Sequence, residues 1–379
     1  MDRKKATNIE VKKNNRNGVF RYICKHKTVS NPDISYGMKI SLPTVTQITK
    51  ELIEKGLVEE KGELESTGGR RAKALSAASG AKLAVGLDIT KNHISLVLVN
   101  LTGETLKYER IYQPFEPENA YYEKVNEKLE AFLKDNGAEK EKILGIGISF
   151  PGIINLEKEE ITYSHVLGME SIPLTLVSRF FSYPCYFQND ANAGAYAEGY
   201  AREHRAEEME HFFYLSLSNT VGGAVYNKKE LMQGKNFRCG EVGHMTLFVD
   251  GEGCYCGKRG CMDAYCRAGL LADMADGKLE RFFEMLGQKD EKAAGLWEKY
   301  TDNLAIAVNN IHMLLDCDVV LGGYVGSYAE PYIRDIWEKV SERNTFGERE
   351  NYVKACHYKT GAAASGAALQ VIEDFIRQI

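Results

Sequence analysis

Residues 241–261 read Glu241-Val242-Gly243-His244-Met245-Thr246-Leu247-Phe248-Val249-Asp250-Gly251-Glu252-Gly253-Cys254-Tyr255-Cys256-Gly257-Lys258-Arg259-Gly260-Cys261. Three thiols and one imidazole, with ten residues from His244 to Cys254, form the donor set of a closed, tetrahedral structural zinc site. Gly253, Gly257 and Gly260 let the chain wrap tightly around an ion. Cys266 lies a helical turn beyond and ranks below Cys261 as a ligand. Nine cysteines are an odd set, and four of them crowd between Cys254 and Cys266. No secretory signal precedes them, so a metal fits better than disulfides. One structural zinc per chain is expected, bound by His244, Cys254, Cys256 and Cys261. A closed site does no chemistry; it holds its loop.

Outward from this loop the pattern is α/β. Upstream, Gln188-Asn189-Asp190-Ala191-Asn192 follows a short strand and opens a helix, a place where side chains face a cleft. Earlier still, Lys82–Ile89, His93–Val99 and Thr105–Tyr112 read as strands. They precede an amphipathic helix over Ala120–Asn136 and a buried strand over Ile143–Ser149. The same syntax returns with the strand Phe212–Leu217, a Gly222-Gly223 turn and the strand Val319–Leu321 before Gly322-Gly323. Pattern alone gives two α/β lobes. Two meander-plus-helix lobes facing a cleft are the actin-like, ribonuclease-H-like plan.

The N-terminal 80 residues differ. A helix over Arg16–Lys27 and a short one over Asn31–Met38 lead to Ser41, a good N-cap, with Pro43 in the first turn. Val45, Ile48, Leu52 and Ile53 then make an apolar stripe ending at Gly56. Three helices with a tight turn before the last suit a helix-turn-helix. Its outward residues are Ser41, Pro43, Thr44, Thr46, Gln47 and Lys50, which can meet base edges and phosphates. Leu57-Val58 and Ala72–Leu75 read as a two-stranded wing. Arg70 and Arg71 between them suit a narrow minor groove.

These stretches together are similar to the ROK family, which contains sugar-responsive repressors and sugar kinases. The resemblance rests on the helix-turn-helix with its Gly68-Gly69-Arg70 wing, on Gln188–Asn192, on Glu241–His244 and on Gly253–Cys261. It implies a sugar site of Asn189, Asp190, Glu241, His244 and Asp263. In the family's kinases the residue matching Asp190 is the base. Asp263 stands where the family usually has Glu. The same resemblance marks the nucleotide side as altered. Asp88-Ile89-Thr90-Lys91-Asn92 lacks the glycines of the kinase phosphate loop, and Ser218–Ala224 keeps only part of the second. Tyr324 follows Gly322-Gly323 where a small residue is usual. No catalytic residue is therefore expected, and the implied function is a sugar-sensing repressor. The alternatives are an active ATP-dependent sugar kinase carrying a DNA-binding head, and a zinc-stabilised interaction protein.

Charge supports the division. Residues 1–80 hold 16 Lys and Arg against 9 Asp and Glu, and the remainder hold 32 against 44. A basic head on an acidic body points to a polyanion as partner of the head alone. Apolar runs are strand-sized, so a cytoplasmic chain without membrane contact is expected. The expected units are a winged helix-turn-helix with linker at 1–80, a first lobe at 81–190 and a second lobe with the metal loop at 191–379. Expected partners are double-stranded operator DNA, a small sugar and further copies in a homodimer or homotetramer, by the two-fold logic of half-sites.

Overall fold

The computed structural model describes residues 8–63, 72–205, 207, 209–347 and 350–379. The head is three helices, α1 (Asn8–His26), α2 (Asn31–Met38) and α3 (Leu42–Glu54), with an antiparallel wing, β1 (Val58–Glu63) and β2 (Lys73–Ala77). Ser30 and Asp33 make a reciprocal capping box on α2, and the Ser41 hydroxyl accepts from the Thr44 N–H on α3. The apolar stripe closes a small core in which Val19, Phe20, Ile23, Ile34, Val45 and Leu52 are fully buried. Residues 64–71 between β1 and β2, Arg70 and Arg71 included, lie outside the described set.

The body holds two sheets of one topology. The first contains β3 (Leu83–Ile89), β4 (His93–Asn100), β5 (Thr105–Tyr112), β6 (Ile143–Phe150) and β10 (Cys185–Asn189), in the order β10-β6-β3-β4-β5. A helix, α4 (Asn119–Asp135), joins β5 to β6. Between β6 and β10 the chain inserts a three-stranded sheet, β7 (Ile153–Asn155), β8 (Glu160–Ser164) and β9 (Met169–Pro173), and a short α5 (Thr175–Ser178). The helix α6 (Asp190–His204) leads to the second sheet. That sheet contains β11 (His211–Leu217), β12 (Val221–Asn227), β13 (Glu230–Leu231), β14 (Asp318–Gly322) and β15 (Val353–Ala355), in the order β13-β12-β11-β14-β15. In each sheet an antiparallel meander of three strands is extended by two parallel strands on the first strand's free side. This is the duplicated actin-like plan.

The metal loop and the short helices α7 (Asp263–Cys266) and α8 (Gly269–Ala272) follow β13. The helices α9 (Leu279–Gly287) and α10 (Glu291–Leu315) precede β14, while α11 (Gly323–Gly326) and α12 (Ile333–Ser341) precede β15. The last helix, α13 (Ala362–Gln378), returns to the first sheet and packs on β3, β6 and α6. The approach is backbone to backbone. A Cβ on Gly86 would lie 1.8 Å from the Ala364 carbonyl oxygen, and one on Gly366 would lie 1.7 Å from that of Ala193. At these crossings only glycine fits. The helices α6 and α13 thus form the seam between the sheets.

The head rests on the end of that seam. The Arg21 guanidinium of α1 donates twice to the Glu373 carboxylate of α13, with the Nη2–Oε1 pair at 2.6 Å. Arg377 also donates to Glu373, and the Asn17 amide donates to the Arg377 carbonyl at 3.1 Å. Among the described residues no helix is long and apolar enough to cross a membrane.

Candidate functional site

The metal loop assembles as its spacing predicts. The ligand atoms of His244, Cys254, Cys256 and Cys261 all lie within 4.8 Å of one another. Cys256 and Cys261 sulfurs stand 3.8 Å apart, and the Cys254 sulfur lies 3.9 Å from His244 Nδ1. Sulfurs about 2.3 Å from one tetrahedral ion are separated by about 3.8 Å, the spacing of the Cys256–Cys261 pair, and the other two donors lie close enough for the set to hold a metal ion. Gly257 and Gly260 both take positive φ, and a Cβ on Gly260 would meet the Phe248 carbonyl. Cys266 is outside the cluster; it is buried and its carbonyl accepts from the Tyr300 hydroxyl.

Four of the five sugar-site candidates share one electrostatic neighbourhood. Asp190 opens α6, half-buried, with its carboxyl pushed up to about 7 by loss of water, then by Asp88 and Glu241. Asp88, which accepts from the Ser149 hydroxyl, is pushed up to about 6, chiefly by burial. Three acidic groups facing one space cannot all ionise cheaply, so Asp190 can both donate and accept near neutral pH. Glu241 is raised by loss of water, opposed by His244 and Arg238. Asp263 is buried; one oxygen accepts from the Val221 N–H at 2.7 Å and the other has no hydrogen-bond partner among the described residues. The shorter side chain is thereby tied to the second phosphate-loop segment.

Asn189 behaves differently. Its oxygen caps α6 by accepting from the Asn192 N–H, and its NH₂ donates to the Gly152 carbonyl at 2.9 Å. It lines a cavity of about 800 Å³ with Gln188 and Asn192, while Asp190 faces a separate one of about 860 Å³. The helix start separates the two.

The larger cavity is lined by Asp88, Thr90, Lys91, Ser218, Asn219 and Tyr324, from the segments that the resemblance assigns to the nucleotide side. Here its walls are tied together. The Thr90 hydroxyl donates to the His93 carbonyl, closing the segment where the phosphate-loop glycines are absent. The Arg110 guanidinium of β5 sits over the Tyr324 ring of α11, 5.6 Å from its centroid, and so reaches across the cleft. Arg110 carried no local signal in the sequence.

On the outward face of α3 and its cap, Ser41, Pro43, Thr46, Gln47 and Lys50 are exposed and Thr44 is half-buried. The Thr46 hydroxyl donates to the Leu42 carbonyl at 2.9 Å, the exposed Gln47 amide donates to Glu51 at 3.2 Å, and the exposed Lys50 ammonium lies 3.8 Å from the Glu54 carboxylate. Tyr36 on α2, 89% exposed, is an aromatic the sequence pattern did not single out.

Fold and loop together define a sugar-kinase-type, actin-like body joined to a winged helix-turn-helix. The family model for the ROK family matches residues 84–374, and the chain belongs to that family. A putative xylose repressor from Caldicellulosiruptor sp. (strain Rt8B.4) is 26% identical over 97% of each chain. A solved ROK family transcriptional regulator, a homologue of the E. coli MLC protein, superposes with a TM-score of 0.76 at 20% identity, covering 97% of this chain and 98% of its own. The ROK hexokinase from Thermus thermophilus matches 77% of this chain and 99% of its own, with a TM-score of 0.61 and 25% identity. What the kinase lacks in coverage corresponds in size to the head.

Proposed function

We propose that this chain is a DNA-binding transcriptional repressor of carbohydrate-utilisation genes whose kinase-like body binds a sugar and thereby changes operator affinity. The observation that supports the reading is one body whose cleft is spanned by Arg110 and Tyr324, with a winged head on the seam helix. The relative named for xylose makes that sugar the first to try. Asp190, Glu241, His244 and Asp263 would meet hydroxyls directly, each of which both donates and accepts. Asn189 would join them by holding Gly152 and the start of α6 in place.

His244, Cys254, Cys256 and Cys261 would hold one zinc ion, whose contribution is to fix the loop bearing Glu241 and His244. The working units are the head at 1–80, the first lobe at 81–190 and the second at 191–379, with α13 returning to the first. The chain would act in the cytoplasm as a symmetric homo-oligomer, two heads engaging two half-sites.

Operator binding tests the head. Lys50→Ala should weaken binding to every duplex and reduce the salt slope by about 1, the signature of one lost phosphate contact. Gln47→Ala should cost about 1–3 kcal/mol at one base position and relax preference there. Arg70 and Arg71 are proposed minor-groove contacts, and replacing both should flatten the salt slope further. A chain without residues 1–80 that binds operator as well as the whole chain would end this reading.

The kinase alternative has one observation in its favour, a half-buried Asp190 whose carboxyl is pushed up to about 7, a suitable range for a base. The bridged cleft weighs against it. With ATP and a wide sugar panel, a coupled assay should give no turnover above background. Steady product formation abolished by Asp190→Asn would establish the kinase instead.

A further inference from the structure

Between α1 of the head and the seam helices of the body lies a cavity of about 180 Å³. Tyr22, Cys24 and Lys25 of α1 line one side of it, and Tyr196 and Tyr200 of α6 with Tyr226 of β12 line the others. An apolar cavity of about 150 Å³ takes up benzene, so this one has room for a single six-membered ring with a small substituent. Tyrosine walls suit such a ring. The charges at its edge are unequal. Arg21 and Lys229 are engaged by the carboxylates of Glu373 and Glu203. Lys25 is exposed and has no ion-pair partner among the described residues, so the lining carries three cations against two carboxylates. The Tyr200 hydroxyl is spent on the Thr102 carbonyl at 2.8 Å. Those of Tyr196 and Tyr226 donate to no described residue, and burial keeps both phenols protonated.

We propose that this cavity is a second effector site, taking a small monoanionic aromatic acid of the benzoate class between head and body. The ring lies among the tyrosines. Its carboxylate accepts from the Tyr196 and Tyr226 hydroxyls and faces the Lys25 ammonium, the one cation in excess. Hydrogen bonds from neutral donors to a carboxylate are the strong kind, and here they are made away from bulk water. The site is separate from the metal loop and from the sugar candidates, none of which lines it. Because α1 supplies one wall and the body the others, an occupied cavity favours the docked arrangement of the head. Operator affinity then shifts by the ligand's differential affinity for that arrangement. This last step rests on the repressor reading above; the binding itself does not.

The test is calorimetric titration of the full chain with benzoate, with benzyl alcohol as the uncharged comparison. The expected result is one equivalent of benzoate per chain with a Kd of about 1 mM or tighter. Benzyl alcohol should bind at least about tenfold more weakly. Tyr226→Phe, which keeps the ring, should weaken benzoate about tenfold. Lys25→Gln should weaken it about two- to fivefold at low salt. Cys24→Phe should fill the cavity and abolish binding; where its Tm reveals a damaged fold, Tyr226→Phe and Lys25→Gln decide. The site is overturned if the wild type binds no benzoate, or binds benzyl alcohol as tightly. It is equally overturned if affinity is unchanged in a folded Cys24→Phe chain, or in both Tyr226→Phe and Lys25→Gln. Saturating benzoate should also shift the operator affinity of the wild type at least about fivefold. An operator affinity that does not move overturns the effector role. A chain that binds benzoate but no operator under any condition ends the repressor reading, and the effector role with it, while the site stands.

Discussion

A Cys256→Ser chain purified from zinc-replete medium should carry well under one equivalent of zinc, against one for the wild type, and should melt markedly lower. Metal release leaves three donors of a closed site facing one another within 4.8 Å, with no ion to hold them. In isolated zinc-finger peptides the apparent binding free energy is about 10–16 kcal/mol. Only part of it is realised here, because the loop is also anchored by Met262 and Cys266, both fully buried in the second lobe's core. A loss of about 2–3 kcal/mol would lower Tm by roughly 4–12 °C in a domain of this size. Sugar binding should fall with it, since His244, proposed both as a metal donor and as part of the sugar site, would lose its orientation. Cys266→Ser provides the contrast: it can lower stability through the core, yet should keep the full equivalent of zinc. A Cys256→Ser chain with full zinc and unchanged Tm would remove the metal assignment.

The second large effect concerns transmission. Asp190→Ala and Glu241→Ala should bind operator as the wild type does and ignore the inducing sugar. Coupling between distant sites is typically about 1–3 kcal/mol, or 5–150-fold in affinity, and a ligand shifts a conformational equilibrium only by its differential affinity for the two states. A sugar touching Asp190 from the first lobe's edge and Glu241 from the second favours the closed body. Asp190 begins α6, α6 packs along α13, and the last turns of α13 hold α1 through Glu373 and Arg377. Closure therefore reaches the head through rigid helices and changes the spacing of two heads in an oligomer. Glu373→Gln should separate the steps: sugar affinity stays at the wild-type value while the sugar-induced loss of operator affinity shrinks. Operator titrations with and without sugar read out all four chains. Full induction of Asp190→Ala and Glu241→Ala would mean that the sugar is sensed elsewhere.

Much of this molecule was legible in one dimension because its signals are local. Ser30 and Ser41 cap the helices they precede, since a side-chain oxygen within three residues is the nearest partner for a free N–H. The interval from His244 to Cys261 specifies its own metal loop, because four donors and three glycines suffice wherever the loop lies. The insertion β7–β9 was not legible. Its strands are short and half-exposed, and they pair with one another only after the turns between them form.

Tertiary structure alone decided the rest. The sequence determined two α/β lobes, a winged head and a four-donor loop, each from a periodicity or spacing that acts over a few residues. Nothing local says that α13 returns to the first sheet; Ala364, Gly366 and Ala367 only show that some backbone comes close. The same holds for Arg21 on Glu373, Arg110 over Tyr324, and Tyr255 on His165, which join residues 352, 214 and 90 positions apart. The Asn189-Asp190 pair divides for a related reason. Adjacent residues at a helix start point to different sides, so one faces the cleft with Asp88 and its neighbour faces another cavity. Such pairings are fixed by how the sheets pack around α6 and α13, and that packing depends on the whole chain at once.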